Sequence, residues 1–414
     1  MIKNSPEGSS DLNVISLTLR DLLQNPEMSE YGKYSLTIPE RLELFEAEFL
    51  YGIRIFEVFA PIVNCTERNS LEAITERRNQ LHQEGRGYAY ILAHARCETQ
   101  DIDAAIQAGV DGLNLYIPTS EELKKGNRKK SATKTTKDIR TLIEGVRKIH
   151  PHLLLRFSGE DFGRSNSNDI YDIYDNLADS VDRFGMPDTT GIMAPSLVTN
   201  TVQTLKNRYP NHGLEGHFHN DRGLSLINAL TGIQAGMNYI DASLLGLAER
   251  SGITSLTALL FNLYLEQPQL TASFNLESSY ELNVLMASII GMQVPFTEPI
   301  NIKNRTHSAG VHTAKMLNNP GSYEAFPWEK FGLSETLLLL GPLSGWHVVG
   351  YYLRHYLNYE GVTDEVAKEI TPIFKEKYSN GSTRRKPSVV LNQIAKKRKD
   401  LQQIDNPITY IVNK

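Results

Sequence analysis

Two histidines, His217 and His219, stand two residues apart at the end of a short apolar run, Leu214–Asn220. In a β-strand, side chains two residues apart point to the same face. Both imidazoles can therefore face one point, and two neutral imidazoles supply half of a divalent metal site. Two hydrogen-bonded surface histidines are the alternative for an isolated pair with this spacing. The flanking Glu215 and Asp221 favour a functional site.

A third metal ligand is available in Asp21, which follows Arg20 at the end of the first apolar run of the chain. One carboxylate and two imidazoles leave open positions on an ion such as Mg²⁺, Mn²⁺ or Zn²⁺. Those positions suit a chelating 2-oxo acid, whose carboxylate and carbonyl groups both offer oxygen atoms. Arg20 beside them would neutralise the charge of an alkoxide forming at the carbonyl carbon. These residue types therefore predict metal-assisted chemistry on a 2-oxo acid.

The predicted strands and helices that must position these residues alternate regularly along the chain. Eight apolar runs alternate with amphipathic stretches between Leu12 and Leu265, which predicts an α/β fold of the (β/α)8 TIM-barrel type. A doubly wound open sheet is the competing fold, but no glycine fingerprint opens the first helix. The predicted strands are Leu12–Arg20, Ile53–Ala60, Tyr88–Arg96, Gly112–Ile117, Leu153–Ser158, Gly185–Ile192, Leu214–Asn220 and Tyr239–Gly246.

Polar residues recur at one end of nearly every predicted strand. In a (β/α)8 barrel the active-site groups lie at the carboxyl ends of the strands. Chance placement explains this recurrence poorly, so the sequence predicts one site at that face. Its candidate residues are Arg20, Asp21, Glu57, His94, Arg96, Asn114, Arg156, Ser158, Glu160, Asp188, Thr189, His217 and His219.

Composition sets the remaining limits. The chain has 414 residues, 40% of them hydrophobic and 22% charged, which is ordinary for a globular protein. Its net charge of -5 gives no general argument for nucleic-acid or membrane binding, and we expect neither partner. Its two cysteines exclude a disulfide scaffold and suit a reducing compartment, which predicts a cytoplasmic protein. We expect a disordered tail at 1–10, the barrel at 11–270, and a linker with a mainly helical region at 271–414.

Several motifs, in order along the chain, resemble the acyl-CoA-dependent Claisen-condensing metalloenzymes, namely the 2-isopropylmalate, citramalate and homocitrate synthases. Within that group the R-F-S-x-E-D and E-x-H-F-H motifs are most similar to homocitrate synthase. The motifs are Thr18-Leu-Arg-Asp-x-x-Gln24, Arg156-Phe-Ser-Gly-Glu-Asp161, Glu215-x-His-x-His-Asn-Asp221, Gly246-Leu-Ala-Glu-Arg-Ser-Gly252 and Thr306-His-Ser-Ala-Gly-Val-His312.

The resemblance implies a role for each matching position. It makes Asp21, His217 and His219 the metal ligands and places Arg20 and Gln24 against the bound 2-oxo acid. It implies that Thr189 holds the C1 carboxylate. His94, Arg156 and Ser158 would receive a second, distal carboxylate, with Glu215 nearby. Glu160 and His312 would manage the methyl proton of acetyl-CoA, and His312 would serve the partner subunit of a homodimer.

The expected reaction condenses acetyl-CoA with a dicarboxylic 2-oxo acid, with 2-oxoglutarate giving homocitrate for lysine biosynthesis as the first choice. Oxaloacetate giving citrate, as in the Re-type citrate synthases, is an alternative, as is a 2-isopropylmalate or citramalate type of synthase. An acyl-CoA lyase would need a cysteine after strand eight, where this chain has none. A non-catalytic module is disfavoured by the retained site residues. Three positions depart from the pattern: Leu22-Leu23, Ala248 and Asn114, the last of which places lysine feedback in doubt.

Overall fold

The computed structural model describes residues 12–127, 136–379 and 384–404. Within these residues, parallel strands β1 to β8 pair in chain order and β8 closes onto β1. The (β/α)8 prediction is therefore confirmed, and the expected tail at 1–10 lies outside the described residues. The strands are β1 Asn13–Ser16, β2 Ile55–Val58, β3 Tyr90–Arg96, β4 Gly112–Pro118, β5 Leu154–Glu160, β6 Arg183–Asp188, β7 Gly213–Phe218 and β8 Tyr239–Ala242.

At least one α-helix follows each strand of the barrel. Short 3-10 turns lie between some of them, at Leu22–Gln24, Phe162–Arg164, Leu244–Gly246, Pro268–Thr271 and Leu276–Ser278. The helices are α1 Thr18–Asp21, α2 Pro26–Glu30, α3 Ile38–Tyr51, α4 Cys65–Gln83, α5 Thr99–Gln107, α6 Glu121–Asn127, α7 Thr136–Ile149, α8 Ser167–Leu177, α9 Pro195–Arg208, α10 Ser225–Ala235, α11 Leu256–Glu266 and α12 Ser279–Ile290.

Helix α3 shows how local sequence sets a boundary. The Thr37 side chain accepts a hydrogen bond from the backbone N–H of Glu40, and the Glu40 carboxylate accepts one from the Thr37 backbone, which forms a capping box. A proline lies in the first turn, where its missing N–H costs nothing. Gly52 ends the helix with φ of 125°, a backbone conformation that side chains with a Cβ rarely adopt.

The barrel interior contains an unusual number of charges for a core. Glu57, Arg156, Arg183, Glu215 and Asp241 are each at most 3% exposed. An isolated buried charge is costly, so these side chains must compensate one another. Apolar side chains fill another part of the interior: Ile15, Leu17, Ile55, Leu92, Leu154, Tyr239, Ala248 and Ile253.

The predicted limits of β6 and β1 are wrong in instructive ways. Strand β6 begins at Arg183, two residues before the predicted start, and ends at Asp188 instead of Ile192. Strand β1 ends at Ser16, so Arg20 and Asp21 lie on the helical turn α1 beyond the strand. Both errors arise where charged residues stand inside or directly after a strand, because hydropathy then gives no boundary.

By packing, the chain divides into two compact units, Met1–Ile300 and Asn301–Lys414. The limits 11–270 and 271–414 are a finer statement about domains and stay a prediction. The second unit is mainly helical, as expected, around a core that includes Val348, Leu353 and Phe374. Its elements are β9 Thr306–His307, α13 Gly310–Asn318, β10 Leu337–Leu338, α14 Trp346–Tyr351, β11 Tyr359–Glu360, α15 Asp364–Ser379, α16 Pro387–Ala395 and β12 Gln402–Gln403, with a π-helical turn at Tyr352–Tyr356 and 3-10 turns at Ile302–Arg305, Pro320–Ser322 and Trp328–Phe331.

Among the described residues, no helix combines the length and the apolar character needed to cross a bilayer.

Candidate active site

A cavity of about 570 Å³ opens at the carboxyl ends of the barrel strands, within the usual size range of small-molecule sites. Glu215 lies buried beside Arg156 and is not part of the cavity wall, and His312 belongs to the second unit. Three strand-end candidates, Glu57, Asn114 and Asp188, are likewise buried outside its lining. The remaining predicted site residues line the cavity: Arg20, Asp21, Gln24, His94, Arg96, Arg156, Ser158, Glu160, Thr189, His217 and His219.

The two histidines of β7 and its end face each other across a short gap. The Nε2 atoms of His217 and His219 lie 3.1 Å apart, and both residues are buried. Burial lowers the pKa of His217 to about 3, with Arg20 and Arg156 adding to the effect. Burial and the neighbouring imidazole lower the pKa of His219 to about 2. Both rings are therefore neutral near pH 7, the form in which imidazole binds metals.

The surroundings of these rings fit a cation. Nδ1 of His217 lies 3.0 Å from Asp241 Oδ2, an arrangement that holds the proton on Nδ1 and leaves the Nε2 lone pair for a ligand. Oδ2 of Asp21 is buried without a hydrogen-bond partner. Two nitrogens bound at right angles to one ion lie about 3 Å apart, given metal–nitrogen bonds of about 2.1 Å. In the described part of the chain, however, no three His, Cys, Asp or Glu side chains already stand in a coordinating arrangement.

Glu57 on β2 collects three hydrogen-bond donors from the cavity wall. Its carboxylate accepts from Arg20 Nη1 at 2.7 Å and from Asn114 Nδ2 at 2.7 and 2.8 Å, and it lies 3.2 Å from His94 Nδ1. Burial opposes ionisation, but Arg20 and the other donors outweigh it and hold the pKa of Glu57 below its usual range. Glu57 thus fixes Arg20 and His94 in place. The pKa of His94 falls to about 4 through burial and Arg20, so its ring is neutral.

Arg156 on β5 is not a free cation. Its Nε lies 2.8 Å from Glu215 Oε1, and its Nη2 lies 3.6 Å from Asp241 Oδ2. Glu215 also pairs with Arg183, whose Nη1 is 3.1 Å away. Burial raises the pKa of Glu215 to about 8 and that of Asp241 to about 7, against the lowering effect of the arginines. The guanidinium expected to receive a distal carboxylate therefore already lies against two buried acidic side chains.

Gly185 on β6 makes room for this arrangement. It is paired in register with Ser158 of β5. A Cβ at position 185 would lie 2.2 Å from Ser158 Oγ and 2.6 Å from Arg156 Nη2, so both side chains would have to shift to admit it. Ser158 Oγ is buried and has no hydrogen-bond partner, so its hydroxyl is available to a ligand. The absence of a side chain at position 185 therefore leaves the space that Ser158 and Arg156 occupy.

Glu160 and Thr189 lie at the ends of β5 and β6. Burial, and to a lesser extent Asp161, raises the pKa of Glu160, while Arg20 acts in the opposite direction. A carboxylate with a raised pKa is better suited to accept and return a proton near pH 7. The Thr189 hydroxyl oxygen accepts the N–H of Asp161 at 2.9 Å, which leaves its own O–H for a ligand.

Comparisons with known proteins assign this chain to a family. The HMGL-like family model matches residues 11–287, and the model for the homocitrate synthase post-HMGL domain matches residues 303–382. The chain belongs to the HMGL-like family.

Relatives narrow the group. The mitochondrial homocitrate synthase of Schizosaccharomyces pombe is 31% identical over 89% of this chain and 84% of that protein. The cytosolic homocitrate synthase isozyme of Saccharomyces cerevisiae is 30% identical over 89% of this chain and 82% of that protein. The crystal structure of hydroxymethylglutaryl-CoA lyase from Pseudomonas aeruginosa shares the fold, with a TM-score of 0.57 and 17% identity over 69% of this chain and 95% of that one.

These findings confirm that the chain is a homocitrate synthase-like member of the condensing family and an acyl-CoA-dependent transferase. Which 2-oxo acid it uses is a finer question.

Three departures from the family pattern can now be placed. Leu22 is fully buried, so the changed loop after Asp21 contributes an apolar side chain to the core. Ala248 is also buried and packs in the apolar cluster, with Asn25 Nδ2 donating to its carbonyl at 2.7 Å. Asn114 donates to Glu57, and its Oδ1 is left without a partner.

Sequence reasoning missed several residues of this HMGL-like site. Asp241 and Arg183 lie inside strands, where a charged residue within an apolar run was the available signal. Tyr116 stacks on His94 with ring centroids 4.3 Å apart. Arg250 and Glu249 reach the cavity from the loop after β8, and an apolar stretch lines it from the loop after β2: Phe59, Ala60, Ile62 and Val63.

His312 lies at the start of α13 in the second unit. Its exposed ring stacks on Tyr323 with centroids 4.0 Å apart and an interplanar angle of 24°. Its predicted catalytic role in a partner subunit stays a prediction.

Proposed function

We propose that this protein condenses acetyl-CoA with 2-oxoglutarate to give homocitrate and CoA. The proposal rests above all on one observation. A single cavity is lined by Asp21, His217, His219 and Arg20 in one part and by Arg156 and Ser158 in another. One part suits the chelating end of a 2-oxo acid, and the other suits a second carboxylate. Homocitrate synthases among the relatives support the same reaction.

A divalent cation held by Asp21, His217 and His219 would polarise the oxo group and supply Lewis-acid stabilisation. The orphaned Asp21 oxygen and the opposed Nε2 atoms support this donor set, and binding would draw the three side chains together. Whether the ion is Mg²⁺, Mn²⁺ or Zn²⁺ is open, since all accept oxygen and nitrogen ligands.

The protein's own residues would carry the remaining work. Arg20, fixed by Glu57, would neutralise negative charge growing on the oxo oxygen. Thr189 would donate to the C1 carboxylate. Glu160 would take a proton from the methyl group of acetyl-CoA, and the methyl carbon would then bond to C2 of the oxo acid as the C=O π bond opens. The resulting alkoxide would take up a proton and become the tertiary hydroxyl. Water would then add to the thioester carbonyl, so that a carboxylate forms and CoA leaves as the thiol.

Selectivity for a dicarboxylic acid would come from the part of the cavity wall that His94, Arg156 and Ser158 form. Ser158 offers an unsatisfied hydroxyl, and the neutral His94 has one nitrogen beyond its contact with Glu57. Arg156 supplies positive charge, shared with Glu215 and Asp241. A branched apolar tail would bury these groups without partners, at a cost of about 1–3 kcal/mol for each neutral group. Oxaloacetate is the second candidate because one methylene changes binding by only about 1–3 kcal/mol.

The test is a thiol-release assay with acetyl-CoA and a panel of 2-oxoglutarate, oxaloacetate, pyruvate and 2-oxoisovalerate, with product identification by mass spectrometry. We expect 2-oxoglutarate to give the highest kcat/KM. Pyruvate or 2-oxoisovalerate as the best acceptor would overturn the homocitrate reading and leave only the broader condensing activity.

We propose the cytoplasm as the location and a homodimer as the assembly. The low cysteine content, with Cys65 exposed and Cys97 buried, suits a reducing compartment. Named relatives include mitochondrial and cytosolic enzymes, so fractionation of the source cells decides the location. The role in lysine biosynthesis follows if homocitrate is the product.

A further inference from the structure

Arg250 combines a strained backbone conformation with a side chain held by several hydrogen bonds. Its backbone φ is 55°, a left-handed conformation that costs a residue with a Cβ about 1–2 kcal/mol. Its guanidinium makes three hydrogen bonds: Nε and Nη2 donate to the two Asp221 oxygens at 2.7 and 3.0 Å, and Nη2 also donates to the Thr189 carbonyl at 2.6 Å. Strain of this kind persists only where surrounding contacts enforce it.

These contacts join three loops at the mouth of the barrel. Thr189 follows β6, Asp221 follows β7 and Arg250 follows β8. The backbone of the β8 loop is already drawn onto the end of β7, because Asn220 N donates to Gly252 O at 2.9 Å. Gly191 lets Asp221 approach the β6 loop, since a Cβ there would lie 2.9 Å from Asp221 Oδ2.

The loops so joined carry groups of the proposed site. Thr189 and His219 both line the cavity. The Thr189 carbonyl is itself bound by Arg250, and His219 lies two residues before Asp221. The Asp221–Arg250 pair is too exposed, at 26% and 40% of side-chain area, to add much to global stability. Its contribution must therefore be sought in local geometry.

We infer that Arg250 is a positioning residue that clamps the three loops through Asp221 and the Thr189 carbonyl and so holds the 2-oxo acid end of the cavity in shape. This inference deepens the proposed function and rests on it for the identity of the substrate. The competing role for a cation at a cavity mouth is direct contact with an anionic group of acyl-CoA.

Steady-state kinetics of Arg250→Gln, Asp221→Asn and the double variant separate the two roles. A clamp predicts that each single variant raises KM for the 2-oxo acid about tenfold or more, as expected for one lost charge-assisted contact. KM for acetyl-CoA should change less than twofold. The double variant should be no worse than the worse single variant, because both remove one interaction.

Arg208→Gln is the matched control, since Arg208 forms a similarly exposed bidentate pair with Asp175 on the outer helices. We expect it to leave both KM values unchanged. A selective rise in KM for acetyl-CoA in Arg250→Gln, with Asp221→Asn unaffected, would overturn the clamp in favour of acyl-CoA contact. Kinetics of both clamp variants equal to those of Arg208→Gln would overturn it as well.

Hydrogen exchange gives a readout that needs no activity. Amides at 189–192 and 245–253 should lose protection in both clamp variants and keep it in Arg208→Gln. Unchanged protection in the clamp variants would refute the clamp. A wild-type enzyme that turns over no 2-oxo acid would refute the proposed function while this exchange experiment still judged the clamp.

Discussion

Arg156 is the residue that we expect to determine the class of substrate. Because it is paired with buried acids, its removal should have two separate effects. The guanidinium lies between the cavity and two buried acids, Glu215 and Asp241. Deleting it removes a contact for the distal carboxylate and also takes one ion-pair partner from Glu215, which keeps its pair with Arg183. These two effects must be separated by experiment.

We predict that Arg156→Met raises KM for 2-oxoglutarate by about 100-fold or more, because losing one partner of a buried charged pair costs about 2–5 kcal/mol. KM for acetyl-CoA should change little, and the preference over pyruvate should shrink. The Arg156→Met/Glu215→Gln variant is the control: it should recover thermal stability without recovering selectivity. Unchanged selectivity in Arg156→Met would contradict the dicarboxylate assignment.

Asp241 contacts Nδ1 of His217, on the opposite side of the ring from the Nε2 atom that is proposed to bind the metal. Its Oδ2 lies 3.0 Å from Nδ1, and the residue is completely buried on β8. We predict that Asp241→Asn lowers divalent-metal affinity by about 10–100-fold, the usual effect of losing the carboxylate behind a metal-binding histidine. Metal content after dialysis against metal buffers measures this directly, and Ser70→Ala, a buried polar change on α4, serves as a control for folding. Equal metal content in wild type and Asp241→Asn would contradict the role.

At the scale of elements, the turn α1 that carries Arg20 and Asp21 is held by a buried carboxylate from α3. Glu48 accepts hydrogen bonds from the hydroxyls of Ser16 at 2.9 Å and Thr18 at 2.7 Å. Thr18 Oγ1 in turn accepts the N–H of Leu244 in the loop after β8, at 3.1 Å. Burial outweighs these bonds and raises the pKa of Glu48 from 4.5 to about 7.

This shift predicts a pH-dependent stability. A raised native pKa means that the stabilising contribution is full below 4.5, the unfolded value, and is lost as pH rises through about 7. Glu48→Gln should therefore gain about 2–3 kcal/mol relative to wild type between pH 5 and pH 8, measured by urea unfolding. Glu40→Gln is the control, because its pKa is lowered and its difference from wild type should stay constant over that range. Parallel curves for wild type and Glu48→Gln would refute the assignment.

Elements also show what sequence could and could not predict. The limits Ile38–Tyr51 of α3 were predictable because its caps are local, in Thr37, Glu40 and Gly52. By contrast, β6 starts at Arg183 and not at the predicted Gly185. Arg183 stands in the barrel because Glu215 and the ring of Tyr239, 4.5 Å from its guanidinium carbon, compensate it. Such compensation comes from residues far away in sequence, so hydropathy cannot reveal it.

For the site, the strand-end rule identified the cavity residues because parallel strands bring their carboxyl ends together. It could not show that Arg156 is already paired, because Glu215 and Asp241 lie on other strands. It also missed Arg250, whose contacts depend on loop conformation.

At the scale of the whole molecule, the proposed homodimer makes a sharp prediction for His312. Its exposed ring, stacked on Tyr323, is proposed to serve the cavity of a partner subunit. Mixing equal amounts of inactive His312→Ala and inactive Glu160→Ala should restore about a quarter of wild-type activity once subunits exchange, since about half of the dimers are hybrids and each hybrid contains one intact composite site. Native mass spectrometry verifies the hybrids, and mixing His312→Ala with itself is the control. Verified hybrids without activity would count against a shared site.

Gly185 has a consequence for how this pocket could change. A Cβ at position 185 would lie 2.2 Å from Ser158 Oγ and 2.6 Å from Arg156 Nη2, so a substitution there must displace both side chains. Smaller residues at 156 and 158 would remove this clash and leave space for a methyl or larger group at 185. What position 185 tolerates therefore depends on the residues at 156 and 158. Libraries that aim at apolar 2-oxo acids should vary the three positions together.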